Sequence, residues 1–142
     1  MFSKQESKAL REEFWISFGK SFPRKWILYN TKIKDFSFKF DFGTKKARVT
    51  LDIENSDLEK RIHYYEKMQS LQNILMENYL AEVIYEDIYF LDNGKEISRI
   101  YVQKDGVSIH NKNTWQETMV FLNETMIKFE EFYRDFEDVI KS

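Results

Sequence analysis

The clearest pattern in the chain is a strict alternation of apolar and polar residues, which is the period of a β-strand with one buried face. The apolar positions of a first run are Phe36, Phe38, Phe40 and Phe42, and those of a second run are Ala47, Val49, Leu51 and Ile53. A hairpin that pairs Phe42 with Ala47 and Phe36 with Ile53 puts all of them on one face. We therefore predict an antiparallel hairpin with Gly43 in its loop.

A second hairpin is predicted from residues 85–91 and 97–104, which flank the turn-rich sequence Asp92-Asn93-Gly94-Lys95. A two-residue turn on Asn93-Gly94 would place Ile88 opposite Arg99. A loop of odd length instead places Ile88 opposite Ile100 and Tyr89 opposite Arg99. We predict the odd loop, because polar and apolar side chains then separate onto different faces.

Three helices are predicted from segments in which the apolar spacing is that of a helix. A Ser or Thr stands three residues before a Glu ahead of each segment, as in a helix-capping box, at Ser3 and Glu6, at Ser56 and Glu59, and at Thr114 and Glu117. The first helix should end at Gly19 or before Pro23, and the second should run for about 25 residues. The third should extend from Trp115 to Ile140, since its apolar positions alternate in steps of four and three.

These elements predict an α+β fold in the order helix, hairpin, helix, hairpin, helix. The two hairpins should share one four-stranded antiparallel sheet, with the three helices packed mainly on its apolar face. The length of 142 residues fits one domain over 1–142.

Composition removes several classes of function. The chain has no cysteine, which excludes disulfides, thiolate zinc sites and cysteine nucleophiles. Its four glycines all fall at predicted turns or helix ends, so none is left for a phosphate-binding loop. Aromatic residues make up 17% of the chain, which favours a well-packed globular core over a disordered segment.

The N-terminal residues are charged throughout, and no stretch is long and apolar enough to span a membrane. We therefore expect a cytoplasmic protein that does not associate with a membrane. The net charge of −2 hides a gradient, because residues 1–34 are mainly basic and residues 113–142 mainly acidic. Helices of opposite charge that lie side by side would explain this gradient, and so would a basic face for an anionic partner.

Four stretches of the sequence resemble a known family. They are Phe14-Trp15, the run from Lys32 to Phe40, the run from Val49 to Glu54, and Trp115 at the start of the last helix. Together they are similar to a bacterial and archaeal family defined as domain of unknown function 4268, over nearly the whole chain. Members of that family stand alone or follow endonuclease-like domains. The resemblance implies an accessory or nucleic-acid-processing context, and it implies no particular reaction.

No complete catalytic set is found, so no catalytic, cofactor-binding or metal-binding residue is predicted. An acid-x-lysine triplet of the kind that magnesium-dependent nucleases use occurs at Glu6-Ser7-Lys8, but there it begins a helix. Glu59, His63 and Glu66 share a helical stripe, but without a matching helix they are more typical of a solvated, charged face. We predict no cofactor and lean towards a protein that is not an enzyme.

The polar face of the sheet is the first candidate binding surface. The second hairpin contributes Tyr85, Asp87, Tyr89, Arg99, Tyr101 and Gln103, and the first contributes Lys39, Asp41, Arg48, Thr50, Asp52 and Glu54. Tyrosines beside Arg99 could stack on nucleic-acid bases. The mixed charge of the face also fits a protein contact, or simple pairing of polar residues on an exposed sheet.

A second candidate is a basic patch in which rings and cations alternate, made of Arg24, Lys25, Trp26, Lys32 and Lys34. Such a segment suits contacts to a nucleic-acid backbone combined with base stacking. The aromatic residues could equally anchor the segment in the core.

The last helix is longer than a small domain is wide, so part of its stripe could contact a second copy of the chain. We therefore consider a homodimer through residues 115–140. The function favoured by the sequence is that of a non-enzymatic interaction or accessory module, for which self-association through this helix is considered together with a protein or nucleic-acid partner. The alternative is a nucleic-acid-binding accessory domain of a nuclease or defence-type system, and a magnesium-dependent nuclease is a weaker candidate.

Overall fold

The computed structural model describes residues 2–142 and has the predicted α+β fold with a four-stranded antiparallel sheet. Its elements are α1 (Lys4–Ser21), β1 (Phe36–Phe42), β2 (Lys46–Ile53), α2 (Leu58–Ser70), α3 (Gln72–Asn78), β3 (Ile84–Phe90), β4 (Glu96–Asp105) and α4 (Trp115–Lys141). One turn of 3₁₀ helix at Lys112–Thr114 leads into α4. Within the described residues, no helix combines the length and apolar character needed to span a bilayer.

The sheet has the strand order β1-β2-β4-β3, so the second strands of the two hairpins are neighbours at its centre. The predicted register of the first hairpin is confirmed, from Phe36 opposite Ile53 to Phe42 opposite Ala47. The β2–β4 pairing then joins the hairpins, with Asp52 opposite Arg99. The alternation of the first hairpin thus determines which β2 side chains face the helices.

The predicted register of the second hairpin is wrong. Its loop, residues 91–95, has the expected odd length, but Tyr89 lies opposite Ile97, and beyond a β-bulge Tyr85 lies opposite Ile100. The bulge falls at residues 87–88, where the Ser98 hydroxyl donates a 2.7 Å hydrogen bond to the Asp87 carbonyl. An extra residue in one strand changes the face of every side chain beyond it, so Tyr85 faces the helices.

Residues 2–142 form four α-helices rather than three, because the predicted second helix is interrupted at Leu71. The backbone there leaves helical geometry (φ −101°, ψ 3°), so that α2 ends at Ser70 and α3 begins at Gln72. The caps also differ from the prediction. Asp57, not Ser56, caps α2. Thr114 is the N-cap residue of α4, as predicted, but its hydroxyl donates to the Ser108 carbonyl and makes no capping hydrogen bond to α4. The capping box at Ser3 and Glu6 is confirmed, with both of its hydrogen bonds present.

The hydrophobic core lies between the helices and one face of the sheet. The apolar stripe of α4 is buried on it, and Phe129 packs on Phe38 with ring centroids 5.7 Å apart. At the far end of α4, Phe132 packs edge-on against Tyr79, which follows α3. The stripe that suggested a homodimer is therefore covered largely by the chain's own sheet and helices.

Residues 22–35 cover the β1 edge of the sheet. The Leu28 carbonyl accepts a hydrogen bond from the Phe38 amide, and the Thr31 hydroxyl donates to the Phe36 carbonyl. Tyr133 of α4 donates a 2.6 Å hydrogen bond to the Thr31 carbonyl. These bonds fix the segment between α4 and the sheet.

Candidate binding surface on the open face of the sheet

The helices cover only one face of the sheet, and the opposite face carries a connected set of polar and aromatic side chains. We call it the open face and define it by Lys39, Asp41, Arg48, Thr50, Asp52, Glu86, Tyr89, Arg99, Tyr101 and Gln103. These positions share a face because residues directly opposite one another in paired strands point to the same side. The β2–β4 pairing brings Arg48 to Gln103, Thr50 to Tyr101 and Asp52 to Arg99.

Arg48 lies at the centre of the open face and is held by neutral groups. Its Nε donates to Gln103 Oε1 at 2.8 Å, and its Nη1 donates to the Tyr89 hydroxyl at 2.6 Å. The guanidinium carbon also lies 5.2 Å from the centroid of the Tyr101 ring. Hydrogen bonds together with a cation–π contact fix the guanidinium in one orientation.

The charge of Arg99 is neutralised by an ion pair with Asp52. Its Nε and Nη2 donate to the two carboxylate oxygens of Asp52 at 2.8 and 2.9 Å, although these residues are 47 positions apart in the chain. Burial alone would lower the pKa of Arg99, but the hydrogen bonds and charge of Asp52 outweigh this effect, so the pKa of Arg99 is raised. The guanidinium also lies over the Tyr89 ring, 4.3 Å from its centroid. Arg99 is therefore a permanent cation with a matched anion.

Lys39 completes this charged network. Its Nζ lies 2.7 Å from Glu54 and 3.4 Å from Asp52. Partial burial would lower the pKa of Lys39, but these two carboxylates together raise it. Tyr101 is also buried, and burial followed by the charge of Glu86 raises the pKa of its phenol. These groups hold their charge states near neutral pH, which suits recognition better than proton transfer.

A depression of about 430 Å³ opens on this face beside the charged network. Its lining includes the basic side chains of Lys39, Lys46, Arg48 and Arg99. Thr50 also lines it, and the Thr50 hydroxyl is buried without a hydrogen-bond partner among the described residues. Asp41 and Asp92 are the acidic residues of the lining. The depression thus offers hydrogen-bond donors and positive charge in a volume that suits a small ligand or a single side chain of a partner.

The predicted surface is assembled only in part. Tyr89, Arg99, Tyr101 and Gln103 meet on the open face, but the predicted placement of Tyr85 and Asp87 beside them is wrong. Tyr85 faces the helices and donates a hydrogen bond to the Met68 carbonyl. Asp87 lies in a groove beside α2 with Tyr65 and Ser98. The β-bulge is the physical reason, because it turns the residues before it to the other side of the sheet.

The structure also changes how the tyrosines of the open face could be used. Tyr101 is 6% exposed, and Arg99 occupies one side of the Tyr89 ring. A base would have to displace these contacts to stack on either ring. The arginines and tyrosines of the open face are thus already in contact with one another within the chain.

The predicted basic patch divides into anchored and exposed residues. Arg24 pairs with buried Glu130 of α4 at 3.3 Å and lies over the Trp26 ring, and Trp26 packs edge-on against Phe40. Lys25, Lys32 and Lys34 are exposed. Tyr29, in the same segment, is 84% exposed.

Sequence reasoning missed Glu130, which is fully buried and accepts a 2.6 Å hydrogen bond from the Ile27 amide. The available signal was its position four residues after Met126, on the apolar side of α4. It also missed the distinction between Arg48 and Arg99, since no local pattern shows which of them has a carboxylate partner. Across residues 2–142, no group of three or more His, Cys, Asp or Glu side chains is arranged to hold a metal ion.

Comparison with known proteins matches a family model described as "Domain of unknown function (DUF4268)" to residues 10–137. No curated protein and no solved structure matches the chain. The matched range starts within α1 and ends near the end of α4, so it includes the whole sheet and both faces described above. The chain therefore belongs to the DUF4268 family.

Proposed function

We propose that the protein is a non-enzymatic interaction module that docks a protein partner on the open face of its sheet. The observation that carries the proposal is the contrast between the two faces. One face is occupied by the helices and residues 22–35, and the other holds preorganised side chains around a depression.

Preorganisation supports this role. Binding is weakened when flexible side chains must be ordered at the interface, by about 0.5–1.5 kcal/mol for each one. Arg48 and Arg99 are already held by hydrogen bonds and by the rings of Tyr89 and Tyr101. Arginine and tyrosine are also among the residue types enriched in the energetically dominant positions of protein interfaces.

The charge of the open face favours a protein partner over a polyanion. Lys39 and Arg99 are already paired with Glu54 and Asp52, and acidic Asp41 and Asp92 lie in the lining of the depression. A nucleic-acid backbone presents one charge after another and needs a continuous positive surface. A protein segment can match a surface of mixed sign residue by residue.

The test compares an open-face variant with a matched variant elsewhere. Lys46→Glu reverses a positive charge in the lining of the depression, and Lys45→Glu makes the same charge change at an exposed position of the adjacent loop. Tagged proteins are used to capture partners from the cells that produce the protein. A partner retained by the wild type and Lys45→Glu but lost from Lys46→Glu supports the proposal. Equal capture by all three places docking elsewhere.

Catalysis is tested separately. A metal-dependent hydrolytic rate above background that disappears in Asp52→Asn would overturn the non-enzymatic proposal. Asp52 is the residue to change because it is the buried carboxylate of the open face.

A second candidate function is nucleic-acid binding by residues 22–35. The observation that favours it is the exposure of Tyr29 in the same segment as the exposed side chains of Lys25 and Lys32. It predicts binding to single-stranded DNA or RNA that weakens as salt rises from about 50 mM, and that weakens further in Lys25→Glu and Tyr29→Ala. Fluorescence anisotropy with a labelled oligonucleotide measures this, and no binding at low salt removes the candidate.

Self-association through residues 115–140 is a separate proposal. Sedimentation at high protein concentration tests it, and a monomer rules it out. The cytoplasmic location remains a prediction from the sequence.

A further inference from the structure

Arg48 differs from Lys39 and Arg99, the paired cations of the depression, because its charge has no matching carboxylate within the described residues. Among the described residues, its side chain bonds only the amide of Gln103 and the hydroxyl of Tyr89. Asp41 lies opposite Arg48 in the β1–β2 pairing but forms no salt bridge with it. Arg48 is also partly buried. A partly buried guanidinium with neutral partners is stabilised when an anion approaches its remaining N–H groups.

Two further groups are available in the same depression. Lys46 lines it from the start of β2 and has no salt-bridge partner within residues 2–142. Thr50 lies two residues beyond Arg48 on the same face and is 1% exposed, and its hydroxyl has no hydrogen-bond partner in the part of the chain that the structure describes. A buried hydroxyl without a partner costs free energy that a ligand oxygen recovers by bonding to it.

The other charges of the lining restrict the ligand. Lys39 and Arg99 add little net field, because Glu54 and Asp52 neutralise them. Asp41 and Asp92 repel additional negative charge at the depression. The lining therefore suits one anionic group rather than a row of them.

We propose that the depression is a binding site for a single oxyanion, either a carboxylate or a phosphate, held by Arg48, Lys46 and Thr50. Arg48 supplies the planar donors that match such a group, Lys46 supplies a point charge, and the Thr50 hydroxyl supplies a further donor. The site deepens the proposed function and rests on it, since the oxyanion is the group that a partner presents to the open face.

The experiment is a titration followed by NMR in low-salt buffer, which detects the Nε–H of Arg48 and the backbone amide of Thr50. The probes are inorganic phosphate, the blocked peptide acetyl-Gly-Glu-Gly-amide and its Gln counterpart. We expect saturable shifts at both groups with phosphate or the Glu peptide at about millimolar concentration, and none with the Gln peptide. Tighter binding of phosphate identifies a phosphate source, and tighter binding of the Glu peptide identifies an acidic protein segment.

Variants test the residues one by one. Arg48→Met should weaken binding at least about tenfold, as expected for the loss of charge-assisted hydrogen bonds. Lys46→Met should weaken it about threefold, and Asp41→Asn should strengthen it by a similar factor because it removes a repulsive charge. Lys45→Met is the matched control, since Lys45 is exposed in the adjacent loop and does not line the depression. Lys46→Met and Asp41→Asn change surface residues, so they keep the test decisive if Arg48→Met fails to fold.

The absence of saturable shifts with both anions up to about 20 mM would overturn the oxyanion site. Equal weakening by Lys46→Met and Lys45→Met would also overturn it. Failure here is distinct from failure of the proposed function. A partner that is lost from Lys46→Glu while the probes do not bind leaves the docking role intact. Probes that bind at Arg48 while capture is insensitive to Lys46→Glu leave the site intact and remove the docking role.

Discussion

Replacing Asp52 with Asn should reveal how strongly the open face depends on one buried carboxylate. Asp52 is 0% exposed and accepts hydrogen bonds from Nε and Nη2 of Arg99. Asn keeps the shape and one acceptor oxygen, but its amide nitrogen places a donor against a donor of Arg99. The substitution also removes the anion that faces Lys39 at 3.4 Å.

The loss of unfolding free energy depends on how exposed Arg99 and Lys39 are to water. Removing one member of a fully buried ion pair costs about 3–5 kcal/mol of unfolding free energy, because the other charge is left uncompensated. The Arg99 side chain is 11% exposed and keeps its contact with the Tyr89 ring, and the Lys39 side chain is 45% exposed. Water and the ring therefore compensate part of the loss, and we expect Asp52→Asn to cost about 2–3 kcal/mol.

The assay is urea unfolding followed by circular dichroism, with a double-mutant cycle of Asp52→Asn, Arg99→Met and the two together. We expect a coupling free energy of about 2 kcal/mol, because the double variant no longer leaves an unpaired guanidinium. Lys39→Met is the comparison for an exposed partner and should cost less than about 1 kcal/mol. A coupling below about 0.5 kcal/mol would refute the reasoning, since it would mean that solvent screens Asp52 despite its burial.

Three further substitutions test other features of the structure. Thr50→Val removes a buried hydroxyl that has no partner among residues 2–142. It should therefore raise the unfolding free energy by about 1 kcal/mol in thermal or urea melts, and a clear loss of stability would contradict the unpaired hydroxyl. Burial raises the pKa of Tyr133 to about 12. The contribution of the Tyr133 phenol to the unfolding free energy should therefore be constant below about pH 10 and decline between about pH 10 and 12. Tyr133→Phe should remove this contribution to the loss of stability at alkaline pH. Glu130→Gln should cost about 1–3 kcal/mol and speed amide exchange at Ile27, whereas unchanged exchange would show that α4 does not hold residues 22–35.

The first hairpin could be predicted residue by residue because its sequence allows one sensible pairing. Four phenylalanines on one side of β1 and four aliphatic residues on one side of β2 must all be buried, and a shift of one residue would expose one of these sets. The loop at Gly43 then allows the register observed, from Phe36 opposite Ile53 to Phe42 opposite Ala47.

The second hairpin carried no such constraint. In β3, the tyrosines at 85 and 89 and the apolar residues at 84, 88 and 90 place apolar surface on both faces. In β4, the buried face includes Ser98, whose hydroxyl bonds the bulged Asp87. Alternation alone could not locate the bulge, and the position of Tyr85 was therefore assigned to the wrong face.

The helices show the same limit for a different reason. The periodicity of α4 is strong enough to predict its start at Trp115 and its extent to within one residue. The stripe through α2 and α3 is equally continuous in sequence, but the helical backbone is interrupted at Leu71, and both Leu71 and Leu75 are buried in the core. Periodicity indicates which residues are buried and does not indicate where a helix is interrupted.

The open face depends on the pairing between hairpins, which no local pattern specifies. Each hairpin could be recognised alone, but Arg48 finds Gln103 and Asp52 finds Arg99 only because β2 and β4 are neighbours. If β2 lay next to β3 instead, the same alternation would still sort the two faces, but Arg99 would stand at an edge without Asp52. The charge pattern of the site, with Arg99 matched and Arg48 unmatched, is therefore a property of the strand order. Recognition at Arg48 should consequently be lost in any variant that weakens the β2–β4 pairing, even where the Phe-rich hairpin keeps its register.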